Sequence, residues 1–356
     1  MHPYRDQPDR AFWRRAVVGR PWTDVPFDRS DAPVLSASTR IATAGSCFAA
    51  NLLRWLPRLG LRPLVTEHAP PWFTEAEARS HGYREFAARY GNIYTARQFR
   101  QLVEEALGER PMLEEFATDA CGTFDLLRPR VRPGGFRSVV EAKLDRTFHL
   151  DCVRRLLVDC GVFVFTLGLT EAWIDHRTDV VYPVCPGTAA GTFEPEHHRP
   201  VNFDYPSVVT DLEWIVDAVA EVNPSVRWIL TVSPVPLVAT HSDEPVVVAT
   251  GYSKAVLRAA AGAVAASKPS VTYFPSYEII SSPQSMGAYL APDLREVTEE
   301  GIAHVMRVFE AEFLDGAPAD EATVDDDEVN ASTELWMATE AALAAECDEL
   351  LNDFGP

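Results

Sequence analysis

Apolar residues fall along the chain in two alternating patterns. Short unbroken runs mark buried strands, and longer stretches with apolar positions three and four apart mark helices. Gly161-Val-Phe-Val-Phe-Thr-Leu-Gly168 is the strongest strand, apolar on both faces as a central parallel strand is. Arg227–Ser233 and Val271–Phe274 read as further strands. TRIATA at 39–44 is a first strand that turns into Gly45-Ser46-Cys47. A helix is expected after that turn, with Phe48, Leu52, Leu53, Trp55 and Leu56 on one face. The next spans Ala96 to Leu107, with Phe99, Leu102, Val103 and Ala106 inward. Another covers 138–160 and carries Leu144, Phe148, Val153, Leu156 and Leu157. Ser207 to Val222 reads as a helix with Ser207 as N-cap and Asn223-Pro224 as its stop. Two more are expected at 252–267 and 299–314.

Strands alternating with helices predict a parallel sheet in a doubly wound α/β fold. The segments 60–95, 108–137 and 175–206 read as long irregular loops. Residues 1–38 read as an arm, pinned to the body by Trp13, Trp22 and Phe27. The unusual residues sit in loops that follow strand C-termini, where open α/β sheets place their sites.

Charge divides the chain. It has 356 residues and a net charge of −20. From Asp315 onward there are 13 acids and no Lys or Arg, and the first 314 residues hold 39 acids against 32 bases. Residues 1–314 are therefore expected to form one domain, 315–331 an acidic linker, and 332–356 an amphipathic helix. Trp336, Leu343, Cys347, Leu350 and Phe354 would form the apolar stripe of that helix. Such a stripe needs a cover: the body, a second copy or a partner. The charge balance argues against nucleic acid. No apolar run reaches 18 residues and the N-terminus lacks an apolar signal core, so neither a membrane span nor secretion is expected. None of the six cysteines lies in a CxxC pair, which reads as reduced thiols in the cytoplasm.

Gly45-Ser46-Cys47-Phe48-Ala49 resembles the signature of the GSCFA family. Tyr90-Gly-Asn-Ile-Tyr-Thr95, Thr166-Leu-Gly-Leu-Thr-Glu-Ala-Trp173, Cys185-Pro-Gly-Thr188, Thr231-Val-Ser-Pro-Val-Pro236 and Tyr273-Phe-Pro-Ser-Tyr-Glu278 resemble further family landmarks, in order. The resemblance covers roughly residues 3–314. It implies similarity to the SGNH/GDSL hydrolases, esterases and acyltransferases with a three-layer α/β/α fold. Those relatives carry a nucleophilic serine in a Gly-Asp-Ser turn after the first strand. Laid on that pattern, Cys47 takes the nucleophile position and Ser46 the Asp position. Ser46 is a rival nucleophile. Independently, a cysteine opening a helix sits at the positive end of its dipole, which favours the thiolate.

The same resemblance places Gly91 and Asn92 at the oxyanion hole, where the glycine admits close backbone approach and the amide donates. Gly168, Thr170 and Glu171 stand where relatives show Gly-x-Asn-Asp. The relatives' final Asp-x-x-His is Asp293-Leu294-Arg295-Glu296 in this chain, so the activating histidine is missing. His198 and His241, in loops on the strand C-terminal side, are the leading substitutes. His149, His197, Asp293 and Glu296 are others. Arg128, Arg130, Arg132 and Arg137 crowd one loop and suit an anion, such as a coenzyme A thioester donor. No Cys/His set has zinc spacing and no Walker or GxGxxG loop occurs, so neither a metal nor a required cofactor is expected. The reading is an acyltransferase or esterase/thioesterase using Cys47 on a small-molecule or carrier-linked acyl substrate. The alternative is a non-catalytic scaffold on a degenerate hydrolase fold.

Overall fold

The computed structural model describes residues 2–27 and 34–314, the side chains of Cys47 and Phe48 excepted. The expected linker at 315–331 and helix at 332–356 lie outside the described residues. The chain runs through α1 (Trp13–Ala16), β1 (Arg40–Gly45), α2 (Cys47–Trp55), β2 (Arg62–Pro63), α3 (Glu75–Ser80) and α4 (Ala96–Leu107). A hairpin of β3 (Phe116–Thr118) and β4 (Thr123–Asp125) leads to α5 (Val139–Asp159). Then come β5 (Val162–Leu167), β6 (Glu171–Asp175), β7 (Val180–Tyr182), β8 (His198–Asn202) and α6 (Tyr205–Val222). The chain continues with β9 (Arg227–Val232), α7 (Val246–Ser267), β10 (Val271–Phe274), α8 (Ser276–Ser281) and α9 (Glu299–Phe313).

Five strands form a parallel sheet in the order β10-β9-β5-β1-β2. Counted within that sheet, this is the 2-1-3-4-5 order of a doubly wound fold, whose winding reverses between β1 and β5. The period of two in β5 explains its coverage. Phe163 and Phe165 enter a core with Phe99 of α4, Leu156 of α5, Leu212 of α6 and Leu257 of α7. Val162 and Val164 enter the opposite core with Leu52 of α2, Ile280 of α8 and Phe309 of α9. Helices therefore cover both faces of the sheet. None of the helices among the described residues is long and apolar enough to cross a membrane.

Several expected elements change. The segment 175–206 is not irregular: β6, β7 and β8 make a separate antiparallel sheet in the order β7-β6-β8. Its strands are short, β6 and β8 are partly exposed, and buried β7 has only three residues, so no apolar run announces them. The segment 60–95 holds β2 and α3, and 108–137 holds the β3–β4 hairpin. The α3 start had a readable signal, a capping box between Thr74 and Glu77. Asp204, not Ser207, caps α6, its Oδ1 accepting from the Ser207 N–H at 3.0 Å. Trp22 and Phe27 do pack on the body, but Trp13 is 64% exposed. On α5, Leu144 and Phe148 face solvent while Arg146 and His149 are buried.

Candidate functional site

The winding reverses at the C-terminal ends of β1 and β5, the place where open α/β sheets put their sites. β1 ends there on Gly45, at φ +137°. A Cβ at Gly45 would stand 2.3 Å from the Thr166 carbonyl oxygen, so the turn is pressed against β5. Ser46 is the N-cap residue of α2 and Cys47 its first helical residue. The Ser46 carbonyl accepts from the Ala49 N–H at 2.8 Å. The Ser46 hydroxyl makes no cap bond; it is buried and has no hydrogen-bond partner.

Two further loops are tied to this turn by main-chain bonds. The Ile93 N–H donates to the Gly45 carbonyl at 2.8 Å. Gly91, at φ +66°, bends the chain into position. Gln98 holds the loop from α4: its amide donates to the Asn92 carbonyl at 3.0 Å and accepts from the Tyr94 N–H at 2.9 Å. The Tyr90 hydroxyl donates to the Thr43 carbonyl. The Tyr94 carbonyl in turn accepts from Gly168 N–H (3.2 Å) and Leu169 N–H (2.8 Å). Gly168 is packed closely: an added Cβ would stand 3.1 Å from the Tyr94 oxygen and 3.4 Å from the Ser46 Cβ. The Thr170 N–H donates to Ser253 Oγ at 3.1 Å, and the buried Thr170 hydroxyl has no partner. Residues 45–47, 91–94 and 168–170 thus meet at one point.

A family profile described as the GSCFA family matches residues 40–309. The chain belongs to the GSCFA family. No curated protein matches it.

The remaining candidate residues of this GSCFA chain fall into two groups. Glu171 is near the junction in sequence and space, but its carboxylate accepts from Thr240 Oγ1 (2.7 Å) and the His241 N–H (3.3 Å). It therefore holds the 240–241 loop through one side-chain hydroxyl and one main-chain N–H. The exposed His241 ring lies edge-on to Trp173, with centroids 5.0 Å apart. His198 is not brought to the junction. It pairs with Asp175, at the far end of β6 from Glu171, about 13 Å along the strand. Its Nδ1 accepts from the Glu194 N–H at 3.0 Å. Asp293 closes its own turn by accepting from the Arg295 and Glu296 N–H groups.

The arginine-rich loop is not a single grip. Arg128 is buried between Asp125 and Asp145, each at 2.8 Å. Arg132 faces Glu141 at 3.7 Å and lies over the Phe136 ring. Arg130 is exposed. Among the described residues, no group of three or more His, Cys, Asp or Glu is arranged to hold a metal.

One residue at the junction was missed by sequence reasoning. Lys254 on α7 is only 1% exposed, and its Nζ donates to the Gly168 carbonyl at 2.7 Å. Lys254 is one of two basic residues on α7, with Arg258. The one available signal is its setting, Tyr252-Ser253-Lys254, where a polar pair interrupts an Ala- and Val-rich helix.

A second polar cluster lies behind the 90–94 loop. Glu67 meets His149 Nδ1 at 2.7 Å and Arg89 at 3.3 Å. Arg146 meets Glu105 at 2.6 Å. Tyr90, Gln98, Arg128, Arg146 and His149 line a recess of ≈ 360 Å³, its open mouth included. Burial, then the Arg128 charge, pushes the His149 imidazole below its usual range. Burial opposes ionisation of Glu67 as well, but His149 and the Arg128 and Arg89 guanidinium groups outweigh it and hold the carboxyl low.

Both shifts act in the same direction. Below the ordinary histidine value of 6.5 the unfolded chain takes up a proton that the folded His149 site refuses. Stability is then held above pH 6.5 and lost as the pH falls. Glu67 adds to the loss below 4.5. Urea unfolding is expected to show a fall of at least about 1 kcal/mol between pH 6.5 and 4.5. His149→Gln should flatten that slope; an equally steep slope in the variant would remove His149 as its cause.

Proposed function

We propose that this GSCFA chain is an acyl-group enzyme, an acyltransferase or esterase/thioesterase, working on an SGNH-hydrolase-like fold in the cytoplasm. One observation carries the reading: the family's signature turn opens a helix at the switch point, with the 91–94 and 168–170 loops hydrogen-bonded around it. Cys47 is the nucleophile. A serine hydroxyl needs a base in contact, and the Ser46 Oγ has no partner. A thiol at the first residue of a nine-residue helix depends less on one, because the helix N-terminus favours the thiolate.

The thiolate sulfur adds to the carbonyl carbon of an ester or thioester. The oxyanion is met by main-chain N–H groups at the start of α2 and by the Asn92 amide. Collapse expels the alcohol or thiol and leaves a Cys47 thioester. Water or an acceptor hydroxyl or amine then takes the acyl group. A thioester donor such as acyl-coenzyme A fits this route, since its exchange onto Cys47 is close to balanced. Its anionic part would have to be met mainly by groups other than Arg128.

Iodoacetamide labelling across pH, read by peptide mass, tests this. Burial pushes the Cys185 thiol up to about 11 and the Cys160 thiol up to about 12, and raises Cys152 as well. These three should stay unlabelled near neutrality, and exposed Cys121 serves as the internal reference. Cys47 is expected to label fastest, with a midpoint below pH 7. Labelling no faster than Cys121 would favour the scaffold reading instead.

A further inference from the structure

Among the described residues, the leading bases expected from the sequence are engaged or distant. The missing histidine is Glu296, the Glu171 carboxylate accepts from the Thr240 hydroxyl and the His241 N–H, and His198 lies opposite the far end of β6. The junction nevertheless holds a cation. Gly45 pairs with Thr166, so the 46–47 turn lies beside residues 167–168, about one strand spacing (~5 Å) away. Lys254 Nζ is anchored on the Gly168 carbonyl at 2.7 Å. The neighbouring Ser253 Oγ accepts from the Thr170 N–H, which fixes α7 to the same loop. Ser46 and Thr170, both buried, bring hydroxyls with no partner to this junction. Unsatisfied buried polar groups around a buried ammonium mark a place built for a polar guest.

We propose that Lys254 is the ionisable partner of Cys47, taking the part that an imidazole plays in a serine enzyme. This rests on the acyl-group reading above. A lysine desolvated in a protein is able to serve as acid and base near neutrality. In the first half-reaction the thiolate sulfur bonds to the acyl carbon, the bond to the leaving group breaks, and the Lys254 ammonium gives that group its proton. In the second, the amine takes a proton from water or an acceptor hydroxyl as its oxygen adds to the thioester. The C–S bond then breaks, which restores the ammonium and the thiolate.

Other charged groups on elements packed against α7 are engaged elsewhere. Glu278, just after β10, pairs with Arg258 and accepts from the Tyr273 hydroxyl. On α6, Asp211 pairs with Arg97 and Arg100, and Asp217 with Lys268. Glu171 and His241 form the edge on the β6 side.

The test compares wild-type, Lys254→Met and Lys254→Arg chains in the pH dependence of Cys47 alkylation. An opposite charge within a few ångströms lowers a thiol's midpoint by about one pH unit or more. Lys254→Met should raise the midpoint by that amount and slow labelling at pH 6.5 about tenfold, while Lys254→Arg keeps the low midpoint. A merely structural lysine would leave a folded Lys254→Met chain with the wild-type midpoint, which overturns the proposal. If Lys254→Met does not fold, the ¹⁵Nζ resonance of Lys254 is titrated in the wild type and in Cys47→Ala. Its midpoint should drop in Cys47→Ala, because coupling between two sites is reciprocal. An unchanged midpoint overturns the proposal equally. Inert Cys47 in the wild type would instead sink the acyl-group reading, so the two failures are distinguishable.

Discussion

Replacing Cys47 by alanine is expected to abolish acyl turnover, by about three orders of magnitude or more, without loss of fold. Removing the nucleophile of a covalent mechanism costs about as much as removing the whole catalytic set. What remains is catalysis by the oxyanion donors alone, because the N–H groups at the start of α2 belong to the backbone. Alanine is also the best residue for a helix interior, so α2 should form as before. The measurement is turnover of aryl esters and acyl-thioesters, alongside thermal unfolding of the same preparation. Ser46→Ala is the necessary partner. It removes a buried hydroxyl that has no hydrogen-bond partner in the chain, so stability should change little and activity should fall far less than in Cys47→Ala. The reverse result, with Ser46→Ala dead and Cys47→Ala active, would transfer the nucleophile to Ser46.

The second large effect concerns stability. Gly45→Ala is expected to cost about 3 kcal/mol or more in urea unfolding, or to prevent folding. Two penalties add. At φ +137° an L side chain is strained, and a Cβ there would sit 2.3 Å from the Thr166 carbonyl and 2.8 Å from the Thr166 Cβ. The first obstacle is the backbone of a central strand, so relief requires β1 and β5 to move apart. Gly91→Ala is the control. Its φ of +66° carries the strain, but no atom lies within 4 Å of the added carbon. About 1–2 kcal/mol is expected there. Equal losses at the two positions would show that the close approach of β1 to β5 contributes nothing.

The sequence pattern predicted what depends on local apolar order and missed what depends on distant polar partners. β5, β9 and β10 were legible because strands buried on both faces are continuous runs. Ala96–Leu107 was legible because its apolar face is uninterrupted and Gly108 ends it. On α5 the same logic placed Val153, Leu156 and Leu157 inward, as they are, but failed in the first half of the helix. Arg146 and His149 are buried there because Glu105 and Glu67, 41 and 82 residues away, neutralise or bind them. Leu144 and Phe148, which periodicity would bury, are left outside. The start of α7 was read six residues late, since Val246-Val247-Val248 is a β-branched run with exposed side chains. Lys254 failed for the same reason as Arg146: its acceptor is a carbonyl 86 residues earlier. The family signature located the junction, and the strand order explains why three loops meet there. Neither revealed the lysine.

The three-loop junction also fixes when the site comes into existence. Its parts come from residues 45, 93, 168 and 254; the bonds to Gly168 need β5 in place, and the Lys254 bond also needs α7 docked. A ribosome-bound chain that has emerged only to α6 would hold the signature turn and both supporting loops, yet no lysine. Chemistry would switch on as a late folding event, so a nascent or truncated GSCFA chain would carry Cys47 without the apparatus to use it.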